Sequence, residues 1–287
     1  LSVRSGDPRV DVQAALAMVG KLGLARLLDR EPSRERSRVL AMIVQRVLKP
    51  GSKLDCTRAL AQSSLAEELG VQGVDADELY AAMDWLSPRQ ARIEAALARR
   101  HLKDGTLVLY DVSSSYFEGR TCPLAARGYS RDRRRGSLQI VYGLLLEPAG
   151  RPIAIEVFLG SLHDDQTLLA QVAKLKRRYG LKTLVLVVDR GMVNQANLDA
   201  LAAEPGVAWI SALKAPQLKK LVRDGDLQLS LFDQTNLAEI TSEAYPGERL
   251  VVCRNPLVAA ERTRKREDLL AATEALLAPI AARVKAG

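Results

Sequence analysis

The spacing of apolar residues changes character once along the chain, at about Gly105. Before it, apolar positions recur at helical intervals, and the breaks carry helix-boundary chemistry. Val10 to Leu28 reads as an Ala/Leu-rich helix whose middle is weakened by Gly20 and Gly23. Ser33 suits the N-cap of a second helix running to Leu48, and Pro50-Gly51-Ser52 makes a turn. Further helices are expected over about Asp55 to Leu69 and over Ala76 to Leu86, where Leu79, Met83 and Leu86 share a face. Ser87-Pro88 then opens a helix that runs to about Arg100.

After Gly105 the apolar runs become short and rich in Val, Leu and Ile, which is the pattern of strands. Residues 106–113, Leu138 to Glu147 and Pro152 to Gly160 read as three strands of an antiparallel meander. Asp164 or Asp165 is placed to cap a helix over about Gln166 to Tyr179, stopped by Gly180. A strand follows at Leu184 to Val188, then a helix from about Asn194 to Ala203 and a strand from Val207 to Ala212. Beyond Lys214 the pattern is mixed. Leu227 to Phe232 alternates like a strand, Arg249 to Arg254 reads as another, and Leu257 to Val284 reads as one long helix with Pro279 as a candidate kink.

The order β-β-β-α-β-α-β is that of the ribonuclease H-like fold, an α/β architecture with a mixed sheet. A helical N-terminal region precedes it, and part of a β-rich insertion with a long helix follows. The expected boundaries are 1–104, 105–213 and 214–287. In this order the first strand is central and the fourth lies parallel beside it. The two strands end in Asp111 and Asp189. A carboxylate at a strand end avoids burial of an unpaired charge, and two at one sheet edge can bind divalent metal for phosphoryl chemistry. Each aspartate taken alone also reads as an ordinary turn residue.

Composition adds direction. Of 287 residues 47% are apolar, enough for a substantial core, but only 4% are aromatic, so Leu, Val and Ala must build it. The net charge of +8 favours a polyanionic partner, nucleic acid first and an anionic membrane second, with solubility alone as the plainer account. No apolar run approaches the ~18 residues of a transmembrane helix, and Arg4, Asp7 and Arg9 interrupt any signal-peptide pattern. Cys56, Cys122 and Cys253 lie too far apart for a zinc motif or a disulfide framework, which fits a reducing cytoplasm.

Arg127, Arg131, Arg133, Arg134 and Arg135, with Tyr129 among them, fall in the loop between the first two strands. Such a loop can grip DNA phosphates or be a solvated hairpin loop. Arg190 follows Asp189 directly and can steady a phosphate or pair with that carboxylate. The helices flanking Lys49-Pro50-Gly51-Ser52-Lys53 read either as a helix-turn-helix or as a plain helical pair. Ser113, Ser114 and Ser115 invite a nucleophile reading, but neither His101 nor His163 sits in a triad motif. Glu118 and Asp164 read as metal-proximal groups or as turn and capping residues.

The segment Tyr110-Asp111-Val112-Ser113-Ser114-Ser115-Tyr116-Phe117-Glu118-Gly119 resembles the first catalytic motif of bacterial insertion-sequence DDE transposases. The branch in question has a ribonuclease H-like core interrupted by a β-rich insertion. Val188-Asp189-Arg190-Gly191-Met192 resembles the second motif. Gly128 to Asp132, Gly160 to Thr167 and Glu248 to Arg254 are similar to the family as well. The resemblance implies that Asp111 and Asp189 are metal-binding catalytic carboxylates for two Mg²⁺ or Mn²⁺ ions. It also implies that double-stranded DNA, as transposon ends and target, is the partner, with self-association on that DNA. A cytoplasmic, nucleoid-associated place in a bacterial cell follows, with no membrane partner. The family's third acid is a Glu within a Tyr-Arg-Glu-Lys spacing, which is absent here: Tyr245 is followed three on by Glu248 and not by Arg. The expectation is a chain truncated inside the insertion and inactive alone, with a non-catalytic DNA-binding remnant or regulator as the alternative.

Overall fold

The computed structural model describes residues 9–129, 134 and 136–285. The chain divides into two compact units, Leu1–Ser211 and Ala212–Gly287.

The first unit begins with helices. The expected first helix is two, α1 (Arg9–Leu22) and α2 (Leu24–Leu28), because Gly23 takes a left-handed φ of 68° between them. In α3 (Arg34–Leu48), Ser33 is the N-cap and accepts a hydrogen bond from the Arg36 N–H. A turn leads to α4 (Lys53–Leu60), capped by reciprocal bonds between Ser52 and Asp55. A Cβ at Gly51 would lie 2.9 Å from the Asp55 Cβ, so glycine is needed for that cap to close. Helices α5 (Leu65–Leu69) and α6 (Ala76–Leu86) follow, and a 3₁₀ turn at Ser87–Arg89 leads into α7 (Gln90–His101). The helices bury Val12, Ala41, Val44, Leu60, Leu65 and Leu79 among themselves.

The sheet of this unit has the order β3-β2-β1-β4-β5. Its strands are β1 (Thr106–Phe117), β2 (Leu138–Leu146), β3 (Pro152–Phe158), β4 (Leu184–Val188) and β5 (Val207–Ile210). β1 pairs antiparallel with β2 and parallel with β4, β2 pairs antiparallel with β3, and β4 pairs parallel with β5. The first strand is therefore central with the fourth parallel beside it, the ribonuclease H-like order expected. β1 is longer than its apolar pattern suggested. The serines 113–115 and Tyr116 continue the ladder opposite Tyr142 to Gln139.

The helix after β3 departs from expectation. Asp164–Gln166 forms a 3₁₀ turn, α8 covers only Leu168–Ala173, and Lys174–Arg178 is a wider, π-type turn. Neither aspartate starts the helix proper. The wide turn sets Lys174 Nζ and Arg178 Nη1 at 3.4 and 3.5 Å from Oε2 of Glu94 on α7, a carboxylate only 3% exposed. After β4 comes α9 (Gln195–Ala203), capped by Asn194.

Alternation divides the sheet into two faces. Val108, Tyr110, Val112, Val141, Leu186 and Val188 point into the core with α8 residues Leu168 and Val172. The opposite face carries Leu109, Asp111 and Ser113, paired with Leu146, Leu144 and Tyr142, and these are half-buried or exposed.

The second unit contains α10 (Ala215–Asp224), β6 (Leu237–Ile240), β7 (Leu250–Cys253) and α11 (Pro256–Lys285). Leu227 to Phe232 is not a strand. Leu229–Phe232 is a 3₁₀ turn, which lets Leu227 and Phe232 join Leu221 and Ile240 in one small core. The partner of β7 is β6, in antiparallel register from Leu237–Cys253 to Ile240–Leu250. No residue of α11 is buried.

Candidate active site

The parallel pairing of β1 with β4 runs from Thr106–Leu184 to Tyr110–Val188. Asp111 and Asp189 are the next residues on each strand, so they stand side by side at the carboxyl ends. By alternation both side chains belong to the less covered face. Both are exposed. Asp111 Oδ1 accepts a hydrogen bond from the Val112 N–H at 2.9 Å, and Asp189 Oδ2 accepts from the Gly191 N–H at 3.0 Å. Among the described residues neither carboxylate is paired with a lysine or arginine. Each aspartate therefore keeps one carboxylate oxygen outside these contacts.

The turn after Asp189 is held from the other side of the sheet edge. Asn197, buried on α9, donates to the carbonyls of Asp165 and Met192, both at 2.8 Å, and Asn194 donates to Asp165 Oδ2 at 2.8 Å. These bonds fasten the 164–166 turn to the 190–192 turn. Gly191 lies between them: a Cβ there would stand 3.1 Å from Asp189 Oδ2 and 3.9 Å from Asp164 Oδ2. No pairing signal for this clamp is legible in the sequence, because the two turns are about 25 residues apart and Asn197 looks like any polar helix residue.

A cavity of about 430 Å³ opens beside this edge, lined in part by Arg127, Tyr129, His163, Asp164, Asp165 and Gly191. The segment carrying Arg127 is pinned to it by two glycines. A Cβ at Gly128 would fall 2.2 Å from the Gly160 carbonyl oxygen, and one at Gly160 would fall 1.9 Å from that of Gln139. The Gln139 amide bridges the crossing by donating to the Gly160 carbonyl at 2.8 Å.

Tyr110, directly before Asp111, is 2% exposed and packs over Gly143, where a Cβ would lie 2.3 Å from its hydroxyl. Burial pushes its phenol up to about 12, and the negative charges of Glu156, Asp164 and Asp111 add to this. The Thr167 hydroxyl pulls the other way. It is aligned on the Asp164 carbonyl at 2.7 Å, however, and makes no hydrogen bond of normal geometry with Tyr110.

The remaining candidates divide. Arg127 is exposed at the cavity, and Arg190 is exposed in the turn after Asp189 without pairing to it. Arg134 stacks over the Tyr116 ring at 4.0 Å and approaches Glu118 at 3.8 Å. Arg131, Arg133 and Arg135 lie outside the described residues. Glu118 is seven residues beyond Asp111 along an extended strand, roughly 23 Å away, so it is not beside that carboxylate. Among the described residues no hydrogen bond joins a histidine to Ser113, Ser114 or Ser115, and Ser114 is buried.

Residues 103–264, which span both aspartates, match the family model described as a transposase DDE domain. The chain belongs to that family. DDE transposases are nucleotidyl-transfer enzymes of DNA transposition. Among solved structures the chain is similar to a piggyBac transposase synaptic complex with hairpin DNA. The identity is 11% and the TM-score 0.44, over 76% of this chain and 50% of that one. It is also similar to a Mos1 transposase paired-end complex with left transposon end, at 11% identity and TM-score 0.27, over 68% and 72%. The chain thus spans half the length of the piggyBac chain it matches. No curated protein matches it.

The donor set suits the divalent ions this family uses. Two exposed carboxylates offer hard oxygen ligands of the kind Mg²⁺ and Mn²⁺ prefer, with no thiolate beside them. Among the described residues, however, no group of three or more His, Cys, Asp and Glu side chains is gathered closely enough to hold an ion.

Proposed function

We propose that this chain carries the first two catalytic acids of a bacterial insertion-sequence DDE transposase, from the branch with a β-rich insertion. The reaction is phosphodiester cleavage at transposon ends followed by strand transfer. The observation that carries this reading is the adjacency of Asp111 and Asp189, exposed and, among the described residues, without lysine or arginine partners, at the ends of two parallel neighbouring strands.

In this reading Asp111 and Asp189 are the residues that would hold Mg²⁺ or Mn²⁺. Ions bound there supply activation of the attacking water or 3′-hydroxyl and stabilisation of the leaving oxygen. The Val112 and Gly191 N–H groups orient the two carboxylates. Arg127, Arg134 and Arg190, with Arg131, Arg133 and Arg135 of the same basic loop, take DNA phosphates and set the register of the duplex. The DNA partner is a transposon end or target duplex, bound by an assembled complex of transposase copies.

The third acid is the missing part. The Tyr-Arg-Glu-Lys spacing does not occur in residues 1–287, and two carboxylates make an incomplete site for two ions. We therefore infer weak metal binding and low or no cleavage by this chain alone, the third acid arriving from outside these residues. The same absence favours, as the second reading, a non-catalytic DNA-binding remnant or regulator.

Titration with Mn²⁺, read by electron paramagnetic resonance, tests the assignment alongside cleavage of a supercoiled plasmid. Wild type should bind Mn²⁺ weakly, and Asp111→Ala and Asp189→Ala should each remove that binding. Unchanged binding in both variants would sink the site assignment. Vigorous metal-dependent cleavage by the wild-type chain, lost in Asp189→Ala, would sink the inference of an incomplete site.

A further inference from the structure

The helical part of the first unit holds a groove of about 570 Å³ between α3 and α6, well apart in sequence from the carboxylate pair. Its floor is apolar and includes Met42, Ile43, Val47, Met83 and Leu86. Val47 is 73% exposed and Met83 42% exposed, so both are open to a partner. Two of the chain's four methionines are here. Thioether side chains are unbranched and adapt to the shape of a partner, and they recur on surfaces that receive helices.

Charge narrows the choice of partner. The rim carries Arg46, Lys49 and Lys53, and among the described residues no Asp or Glu lines the groove. Among the described residues none of these three cations makes an ion pair, while Asp55 on α4 is engaged by Ser52 and by Arg58.

We propose that the α3–α6 groove docks an amphipathic helix of another polypeptide, with an apolar face and acidic flanks. Apolar anchors at i, i+3/i+4 and i+7 sit on the methionine-lined floor, as in other helix-in-groove contacts. Flanking Glu or Asp side chains meet Arg46, Lys49 and Lys53. A nucleic acid backbone matches the rim but leaves the apolar floor unused, since phosphate contacts are made by donors and cations.

The test uses the whole chain and fluorescein-labelled helical peptides of about 16 residues, long enough to hold a helix on the surface. One carries Leu anchors with Glu flanks, a second has Gln in place of Glu, and a third has Lys. Anisotropy should give about tenfold tighter binding for the Glu peptide than for the Gln peptide, a preference that shrinks as salt rises. Lys49→Glu with Lys53→Glu, both at the surface, should invert the preference towards the Lys peptide. Met83→Asp should remove binding with an unchanged circular dichroism spectrum. Equal binding of all three peptides, or indifference to these substitutions, overturns the proposal. Displacement of the Glu peptide by a short DNA duplex overturns it in favour of a nucleic-acid site. Self-association of the unliganded chain that disappears in Met83→Asp overturns it in favour of a second copy.

Discussion

Glu94 is the residue whose loss should be felt furthest. Its carboxylate is buried on α7 and accepts hydrogen bonds from Gln90 Nε2 at 2.9 Å, Tyr179 Oη at 3.0 Å and the Ile155 N–H at 3.3 Å. It also faces Lys174 and Arg178 from the wide turn. Glu94→Ala leaves the Ile155 N–H and the Tyr179 hydroxyl without their acceptor and two cations without their shared anion. Removing one partner of a buried ion pair costs about 3–5 kcal/mol. Lys174 keeps Glu156 at 3.1 Å and the Arg178 side chain is 36% exposed, so the lower end applies. A loss of about 3 kcal/mol lowers Tm by about 6–12 °C for a unit of some 200 residues. Urea titration followed by tryptophan fluorescence measures it, because Trp85 and Trp209 both lie in the first unit. Lys174→Met added to Glu94→Gln should recover part of the loss, since the pair is then replaced and not broken. A cost below about 1 kcal/mol for Glu94→Ala would refute the reasoning, because the anion would then be no organising element of the fold.

Three further outcomes follow from the geometry. Gly143→Ala pushes a methyl group against the Tyr110 ring and should cost about 1–3 kcal/mol. Tyr110→Phe, which removes the closest atom, should relieve only part of it, as the ring carbons would stand at 2.7 and 2.8 Å. In alkaline titration followed at 295 nm, Tyr110 and Tyr179 should ionise last, burial being the chief cause for both. Their folded values lie above the unfolded value of 10, so the stability they contribute is complete below about pH 10 and is lost, for Tyr110, as pH rises through about 12 and, for Tyr179, above that. A loss of all tyrosine protons by pH 11 with the fold intact would contradict this. Asn197→Ala deprives the Asp165 and Met192 carbonyls of their donor, at a cost of about 2 kcal/mol. It should also weaken Mn²⁺ binding while leaving Asp189 in place, and equal Mn²⁺ affinity in the variant would mean the clamp does not act on the carboxylate.

Much of this architecture was legible because it rests on short-range rules. Asp111 and Asp189 stand out because each follows a run of β-formers, and Ser33, Gly180 and Asn194 sit where helix-boundary chemistry expects them. What stayed hidden depends on contacts between distant residues. Leu227 to Phe232 alternates like a strand, but its two end residues are drawn into one small core, which a 3₁₀ turn allows and an edge strand does not. β6 runs Leu-Ala-Glu-Ile, and the Ala and Glu at its centre are poor strand formers, so only its pairing with β7 reveals it. Ser114 and Ser115 fall beyond the strand expected over 106–113, yet β2 extends far enough to carry them in the ladder. The approach of Asp164 to Asp189 comes through Gly191, whose lack of a side chain matters only once the two turns meet.

The wide turn at Lys174–Arg178 has a consequence for how the coding sequence can vary. An α-helix advances about 100° per residue, so deleting one codon from this turn would rotate every following side chain by that amount. Lys174 and Arg178 could then no longer face Glu94 together, and Tyr179 would swing away from its acceptor. Single-residue insertions and deletions should therefore be purged from this stretch. They should persist in the hairpin between β2 and β3, where Pro148-Ala149-Gly150 turns at the surface and Gly150 supplies the positive φ. Among natural variants of this chain, length should be a stricter signature of the wide turn than the identity of any one of its residues.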